Sequence, residues 1–184
     1  APQKIYDYIL EKYNKLDILV NNAGVLLTGN LFVTNSTTVS DKDVKETFQT
    51  NLFSVISLTQ ALLPLIKKSE AGRIVNVSTI LSSLTLHSDK DSPIAPAKEI
   101  AYNASKTALN AFTIHLALEG GFDDLIWIDS DIEWQPEWFF KLLDYSVDVV
   151  GGTYRKKGDR EEYVVRIPGP VDAATGLMEV QGLG

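Results

Sequence analysis

A tyrosine and a lysine lie four residues apart in Tyr102-Asn103-Ala104-Ser105-Lys106. The spacing of apolar residues around them predicts a helix, and residues four apart share one helix face. An ammonium beside a phenol favours the phenolate, which lets a tyrosine act as an acid or base near neutral pH. Such a pair alone is more often a surface pair than a catalytic one, so its meaning depends on the residues around it.

Two carboxylates close a second apolar run, Leu125-Ile126-Trp127-Ile128-Asp129-Ser130-Asp131. Mg²⁺ and Mn²⁺ prefer carboxylate oxygens, and a nucleotide diphosphate needs such an ion to neutralise its charge. Asp129 and Asp131 are therefore candidate metal ligands. Two acids at the end of a strand are also typical of a solvated loop.

Alternating helical and extended segments position both groups. Helices are predicted over residues 3–14, 40–66, 99–118 and a short stretch from 136, strands over 16–20, 73–78, 125–128 and 147–150, and a hairpin near 153–165. Residues 82–97 read as a loop. This order predicts an α/β fold with three αβα layers and a mostly parallel, Rossmann-like sheet that ends in a C-terminal hairpin.

Composition limits the classes of function. The 184 residues carry a net charge of −7, which argues against nucleic-acid binding, and no cysteine, which excludes disulfides and thiolate metal sites. We find no apolar run that approaches a membrane span and no signal peptide, so we expect no membrane partner and a cytoplasmic or recombinant soluble protein. The charge is uneven: residues 1–118 hold eleven basic and ten acidic residues, and residues 119–184 hold six and fourteen.

Residues 3–118 resemble the short-chain dehydrogenase/reductase family, motif by motif and in the family's order. The matching residues are the turn Asn21-Asn22-Ala23-Gly24, the helix residue Asn51, the strand Gly72 to Thr79, and the pair Tyr102 and Lys106. The resemblance implies that Tyr102 exchanges the substrate proton and that Lys106 supports the phenolate and binds the nicotinamide ribose. It further implies that Asn51 holds a water in a proton relay.

The serine position departs from the family, which usually reads Asn-x-Ser-Ser and uses the second hydroxyl. Thr79 stands there, after Ser78. The resemblance also implies cofactor contacts from Asn21, Ala23, Gly24 and Lys106. The family's glycine-rich pyrophosphate turn, Thr-Gly-x-x-x-Gly-x-Gly, is absent from these 184 residues, and so is its strand with a Pro-Gly turn after the catalytic helix. We therefore predict no meaningful NAD(P) affinity.

Residues from about 121 onward look like a piece of a GT-A-type glycosyltransferase, because Asp129-Ser130-Asp131 precedes a short helix and then Asp148-Val149-Val150-Gly151-Gly152. That resemblance implies that Asp129 and Asp131 bind the metal of a nucleotide-sugar diphosphate. The family's nucleotide-base half is missing before this strand.

Together the two resemblances predict an engineered or recombined chimera, one α/β domain joining a dehydrogenase-like segment, 1–119, to a glycosyltransferase-like segment, 120–184. No evolved catalysis and no cofactor are expected. The alternatives are a residual NAD(P)-dependent oxidoreductase and, third, a nucleotide-sugar binder using Mn²⁺ or Mg²⁺. Strands missing at the junction would leave an exposed sheet edge and favour self-association.

Overall fold

The computed structural model describes residues 1–28, 32, 34–128 and 136–144 of the chain. The chain forms two compact units, Ala1–Leu125 and Ile126–Gly184. The sequence analysis places the junction at 119–120, and the first unit runs a few residues beyond it. Within the described residues, almost all regular structure belongs to the first unit.

Two parallel strands form the centre of the first unit. β1, Ile18–Asn21, pairs with β2, Arg73–Asn76, in a register that sets Ile18 beside Arg73 and Asn21 beside Asn76. Each strand therefore ends in an asparagine, and both asparagines lie at the carboxyl edge of the pair. The parallel pair and its connecting helices confirm the predicted α/β class.

Two helices pack against the strand pair and bury its apolar residues. They are α1, Pro2–Tyr13, and α3, Ser54–Ile66. The core here consists of Leu19, Leu62, Leu65 and Ile66, with side chains of α1 packed against it. A fully buried leucine contributes about 1.5–3 kcal/mol through the loss of apolar surface to water, so this cluster is the main anchor of β1.

The predicted long helix over residues 40–66 is interrupted. α2, Asp41–Phe48, begins as predicted, because the Ser40 hydroxyl accepts a hydrogen bond from Asp43 N at 3.0 Å. A π-helical turn, Gln49–Phe53, then separates α2 from α3, and Ser54 N donates to Gln49 O five residues back. Such single turns insert a residue into an α-helix and recur at functional sites. Asn51 lies in this turn.

The helical run Asp41–Ile66 is long and apolar enough to cross a membrane by length and composition, with a mean hydropathy of 1.2 in its best window. The expectation that no segment approaches this criterion was therefore wrong. Core helices of soluble proteins satisfy the same criterion, and this run supplies Leu62, Leu65 and Ile66 to the core. The absence of a membrane partner stays a prediction.

The helix that carries Tyr102 and Lys106 is α5, Ile100–Glu119. Leu109 on α5 is buried with Leu52 and Val55, and this second apolar cluster fixes α5 against the π turn and α3. Gly121 has φ +71°, a left-handed conformation that glycine adopts without strain, and the helix ends just before it.

Two segments differ from the sequence predictions. The stretch read as a loop over residues 82–97 begins with a 3₁₀ turn, Ile80–Ser82, and α4, Leu84–Ser88. Both are capped by the side chains before them, since Thr79 and Ser83 accept hydrogen bonds from Leu81 N and Leu86 N. Residues 125–128 form no strand, because an apolar run becomes a strand only when a ladder partner pairs with it.

The short helix predicted from residue 136 is present as α6, Pro136–Leu143. The predicted strand over residues 147–150 and the C-terminal hairpin lie outside the described residues.

Candidate active site

Asn51 connects the π turn to the turn that follows β1. Its side chain is fully buried. Oδ1 accepts from Val25 N at 2.8 Å, and Nδ2 donates to Val25 O at 3.0 Å and to Ser105 Oγ at 3.0 Å. Both amide hydrogens are therefore committed to protein acceptors. A water held by this side chain could therefore only donate to the remaining lone pair of Oδ1.

Gly24 lies where Asn51 and Lys106 come together. A side-chain carbon built on Gly24 would lie 3.5 Å from Asn51 Oδ1 and 3.6 Å from Lys106 Nζ. The structure thus brings together three of the residues singled out from the sequence, from three separate elements. The missing side chain leaves the ammonium open on this side.

Lys106 is a buried cation with no anion beside it in the part of the chain that the structure describes. Its side chain is 4% exposed, and Nζ donates to Val77 O at 2.6 Å, which is its one acceptor among the described residues. No carboxylate pairs with it in that part of the chain. Burial lowers the pKa of Lys106 below its ordinary value because the charged form loses hydration. An unpaired buried charge is costly, and such groups concentrate at functional sites.

Tyr102 precedes Lys106 by one turn of α5, as predicted, and is half-buried. Ser105 between them accepts from Asn51 and donates to Tyr102 O at 2.7 Å. Ser105 therefore ties Asn51 to the backbone that carries the tyrosine. No hydrogen bond engages the Tyr102 hydroxyl within the described part of the chain, so it is free to bind a ligand.

The hydroxyls at the end of β2 have different roles. Ser78 Oγ donates to Asn110 Oδ1 on α5 at 2.6 Å, so its hydrogen is used within the protein. Thr79 Oγ1 accepts from Leu81 N at 3.3 Å, which leaves its own hydrogen available. This difference favours the prediction that Thr79, and not Ser78, is the carbonyl-polarising hydroxyl.

The turn residues Asn21 and Ala23 differ in exposure. Asn21 is 6% exposed, and its Nδ2 donates to Asn76 Oδ1 at 2.8 Å and to Thr59 Oγ1 at 3.1 Å. Its side chain holds the strand ends together and is not available to a cofactor. Ala23 is exposed in the same turn as Gly24.

Sequence reasoning missed a polar group beside Tyr102. Asn103 Nδ2 donates to Ala97 O at 3.0 Å and lies 3.2 Å from His87 Nε2, while Asn103 Oδ1 is buried with no hydrogen-bond partner among the residues that the structure describes. Glu99, fully buried one turn before Tyr102, was missed as well. Glu99 lies three residues before Tyr102 and Asn103 directly after it. The sequence shows these positions but not the burial of the two side chains.

No cluster of three metal-ligating side chains occurs in residues 1–28, 32, 34–128 and 136–144. Asp129 and Asp131 lie outside the described residues, so their proposed role as metal ligands stays a prediction.

A family model described as short chain dehydrogenase matches residues 1–125. The chain belongs to the short-chain dehydrogenase family. Family similarity therefore extends beyond residue 118, through the end of the first compact unit. The Rossmann-like α/β fold predicted from the sequence is confirmed by the solved structures that the chain resembles.

Individual relatives agree. A short-chain dehydrogenase/reductase of Aspergillus fumigatus is 33% identical over 111 residues, which cover 59% of this chain and 40% of the relative. Dehydrogenase/reductase SDR family member 9 of Bos taurus is 39% identical over 99 residues, covering 54% and 30%. The matched segment thus spans less than half the length of these relatives. A solved short-chain dehydrogenase of Escherichia coli CFT073, complexed with NADPH, has 30% identity and a TM-score of 0.52, covering 65% and 44%.

These similarities change the functional interpretation. They support the dehydrogenase-like segment and the alternative prediction of a short-chain-type oxidoreductase. They give no support to a glycosyltransferase segment, to a chimeric origin or to the absence of evolved activity. The expectation that no cofactor binds is likewise unsupported, because structural neighbours are complexed with NADP or NADPH. The motifs of the first 125 residues are therefore the better guide to function.

Proposed function

We propose that this chain carries the proton-transfer side of an NAD(P)-dependent oxidoreductase that interconverts carbonyl compounds and alcohols. The observation that carries the proposal is the Lys106 ammonium, which is buried without a carboxylate partner among the described residues, one helical turn from Tyr102 and beside Gly24. Desolvating a cation without a carboxylate partner destabilises the fold, so the arrangement calls for a functional explanation.

The residues at this point fit the nicotinamide-ribose end of a coenzyme. Gly24 leaves open the space that a side chain would fill beside Lys106 Nζ and Asn51 Oδ1. Lys106 has N–H groups beyond the one given to Val77 O, and ribose hydroxyls are suitable acceptors. We assign Gly24 and Lys106 to this contact, with Ala23 at its exposed rim. The coenzyme, when bound, supplies or accepts the hydride.

The chain's own residues manage the proton. In the reductive direction Tyr102 donates its phenolic proton to the substrate oxygen as that oxygen gains negative charge. Lys106 stabilises the phenolate that remains, and solvent returns the proton. Thr79 donates its free hydroxyl hydrogen to the same substrate oxygen. Asn51 keeps the turn at Gly24 and the backbone at Tyr102 in fixed relative positions through Val25 and Ser105.

The test is coenzyme-dependent reduction of a panel of ketones and aldehydes by the full chain, with NADPH and NADH supplied separately. We expect Tyr102→Phe to lower the rate by about a hundredfold or more, because general acid–base groups contribute about 10² to 10⁴ in rate. Tyr8→Phe, at an exposed tyrosine on α1, is the matched control and should keep the wild-type rate. A wild-type chain without reductase activity, or equal rates for Tyr102→Phe and wild type, would contradict the proposal.

A further inference from the structure

Glu99 is a buried carboxylate that the proton-transfer scheme does not use. It is 2% exposed and stands directly before the first residue of α5. Its side chain makes no capping hydrogen bond to its own helix. Instead Oε2 accepts from the Thr28 hydroxyl at 3.1 Å and from the Thr34 hydroxyl. The side chain thus turns away from α5 toward the segment that follows β1.

Glu99 is held by neutral groups. No lysine or arginine pairs with it among the described residues. Its hydrogen-bond partners there are the hydroxyls of Thr28 and Thr34. A buried polar group without partners is costly, and an apolar side chain could not accept hydrogen bonds from the two threonines.

Glu99 lies close in sequence to the reacting groups, three residues before Tyr102 and seven before Lys106. It binds Thr28 and Thr34 in the connection from β1 to α2, of which the structure describes residues 22–28, 32 and 34–40 (the β1–α2 loop). Asn51 binds this loop at Val25, and Glu99 binds it again at Thr28 and Thr34. The first anchor, Asn51, belongs to the proposed active site, and the second, Glu99, lies three residues before Tyr102.

We propose that Glu99 is a positioning residue that clasps the β1–α2 loop to the N-terminal end of α5. The clasp holds the loop as a wall of the substrate site beside Tyr102. The role of the loop as a wall of the substrate site rests on the proposed function, whereas the clasp itself does not. Loss of the carboxylate acceptor would release Thr28 and Thr34 from α5, leaving the described helices of the first unit unchanged.

Hydrogen exchange of the full chain tests the clasp without any activity. Glu99→Met removes the acceptor at similar volume, and Thr34→Val removes a donor at similar shape. We expect amides in peptides containing Val25, Thr28 and Thr34 to exchange about tenfold faster in both variants, since the loss of one buried hydrogen bond changes a local opening equilibrium by about a tenfold factor. Exchange in α1 and α3 should not change.

Conservative variants and a distant control sharpen the result. Thr34→Ser keeps the hydroxyl and Glu99→Gln keeps one acceptor oxygen, so both should exchange more slowly than Thr34→Val and Glu99→Met. Glu119→Met, at the exposed C-terminal end of the same helix, should match wild type. The proposed clasp would be contradicted if the amides of Glu99→Met exchanged at the wild-type rate. It would also be contradicted if exchange became equally faster in α1 and α3.

Steady-state kinetics tests whether the loop contacts the substrate, separately from the proton-transfer chemistry. In an active chain, Glu99→Met and Thr34→Val should raise KM for the carbonyl substrate by about tenfold, the same factor as the lost hydrogen bond, with kcat and its pH profile nearly unchanged. An unchanged KM in a variant whose loop exchanges faster would overturn the wall. If wild type reduces no substrate, the proposed function fails, and hydrogen exchange still decides the clasp.

Discussion

At the scale of single residues, the burial of Lys106 leads to a prediction about the free energy of unfolding as well as about activity. Burial lowers its pKa in the folded chain below the unfolded value of about 10.4. At any pH below that lowered folded pKa, the folded state therefore bears the full cost of the charge. The cost is relieved as the pH rises through the lowered folded pKa toward the unfolded value, because the unfolded chain then binds more protons than the folded chain.

Lys106→Met should accordingly be at least as stable as wild type at pH 7, although it loses the bond to Val77 O, worth about 1 kcal/mol. Its advantage should shrink as the pH is raised above about 10, where the wild-type cost disappears. Urea unfolding at both pH values measures the difference, with Lys4→Met at an exposed site of α1 as the control. A variant less stable by more than about 1 kcal/mol at pH 7 would show that Lys106 stabilises the fold.

Sequence patterns identified some site residues and not others for a physical reason. Tyr102, Lys106, Asn51 and Gly24 were identified because their types and spacing match a known chemistry, and the last three do meet in space. The commitment of both Asn51 amide hydrogens was not predictable. It depends on where Val25 and Ser105 lie in space, and no local pattern reports that. The burial of Glu99 has the same origin.

At the scale of elements, a chain of side-chain hydrogen bonds joins two strands to two helices. Asn21 on β1 donates to Thr59 on α3 and to Asn76 on β2, and Asn76 donates to Thr113 on α5 at 2.8 Å. Every described member is buried or half-buried. Val77 and Gly24 follow the two strand ends. This series of hydrogen bonds therefore sets the positions of the groups around Lys106.

Asn21→Ala should lower the free energy of unfolding by about 2–3 kcal/mol, because two bonds are lost and two buried oxygens lose a donor. Its effect should not add to that of Thr113→Val, since both act on one network. Asn22→Ala, at the exposed neighbouring residue, is the control and should change stability by less than about 0.5 kcal/mol. Strict additivity in a double-mutant cycle would mean that the bonds act separately.

Helices and strands were predicted correctly where the apolar pattern was clear. β1, β2 and α5 have apolar periodicity and clear turn residues at their ends, and the structure contains all three. The 3₁₀ turn and α4 were read as loop because they are short and depend on caps from Thr79 and Ser83. The strand expected over residues 125–128 was wrong because apolar content was taken as sufficient without a pairing partner.

At the scale of the whole molecule, one face of the strand pair is apolar and exposed. Val20 and Val75 are register partners and are 55% and 45% exposed, with Ile18 exposed on the same face. The opposite face carries Leu19 into the core. Parallel sheets are normally covered on both faces, so this surface favours the self-association that the sequence analysis anticipated at a sheet edge.

Static light scattering should therefore give a mass that rises with protein concentration. Val20→Thr combined with Val75→Thr should reduce that rise, because both changes replace apolar surface and keep branched side chains suited to a strand. Leu84→Thr, at an apolar residue of α4 that is 71% exposed, is the control for a general loss of surface hydrophobicity. A wild-type chain of constant monomer mass would exclude self-association through this face.

The π turn, finally, has a consequence for how such a site could arise or disappear. Its bond from Ser54 N to Gln49 O spans one residue more than an α-helical bond, so the helix carries one surplus residue at Asn51. Loss of any one residue there would restore a regular helix, with α3 still able to fill the core. The side chains before the deletion would turn by about 100° relative to those after it, and Asn51 would lose its alignment with Val25 and Ser105. Loss of a single codon would therefore turn a helix that positions Asn51 in the proposed active site into a helix that only supports the fold.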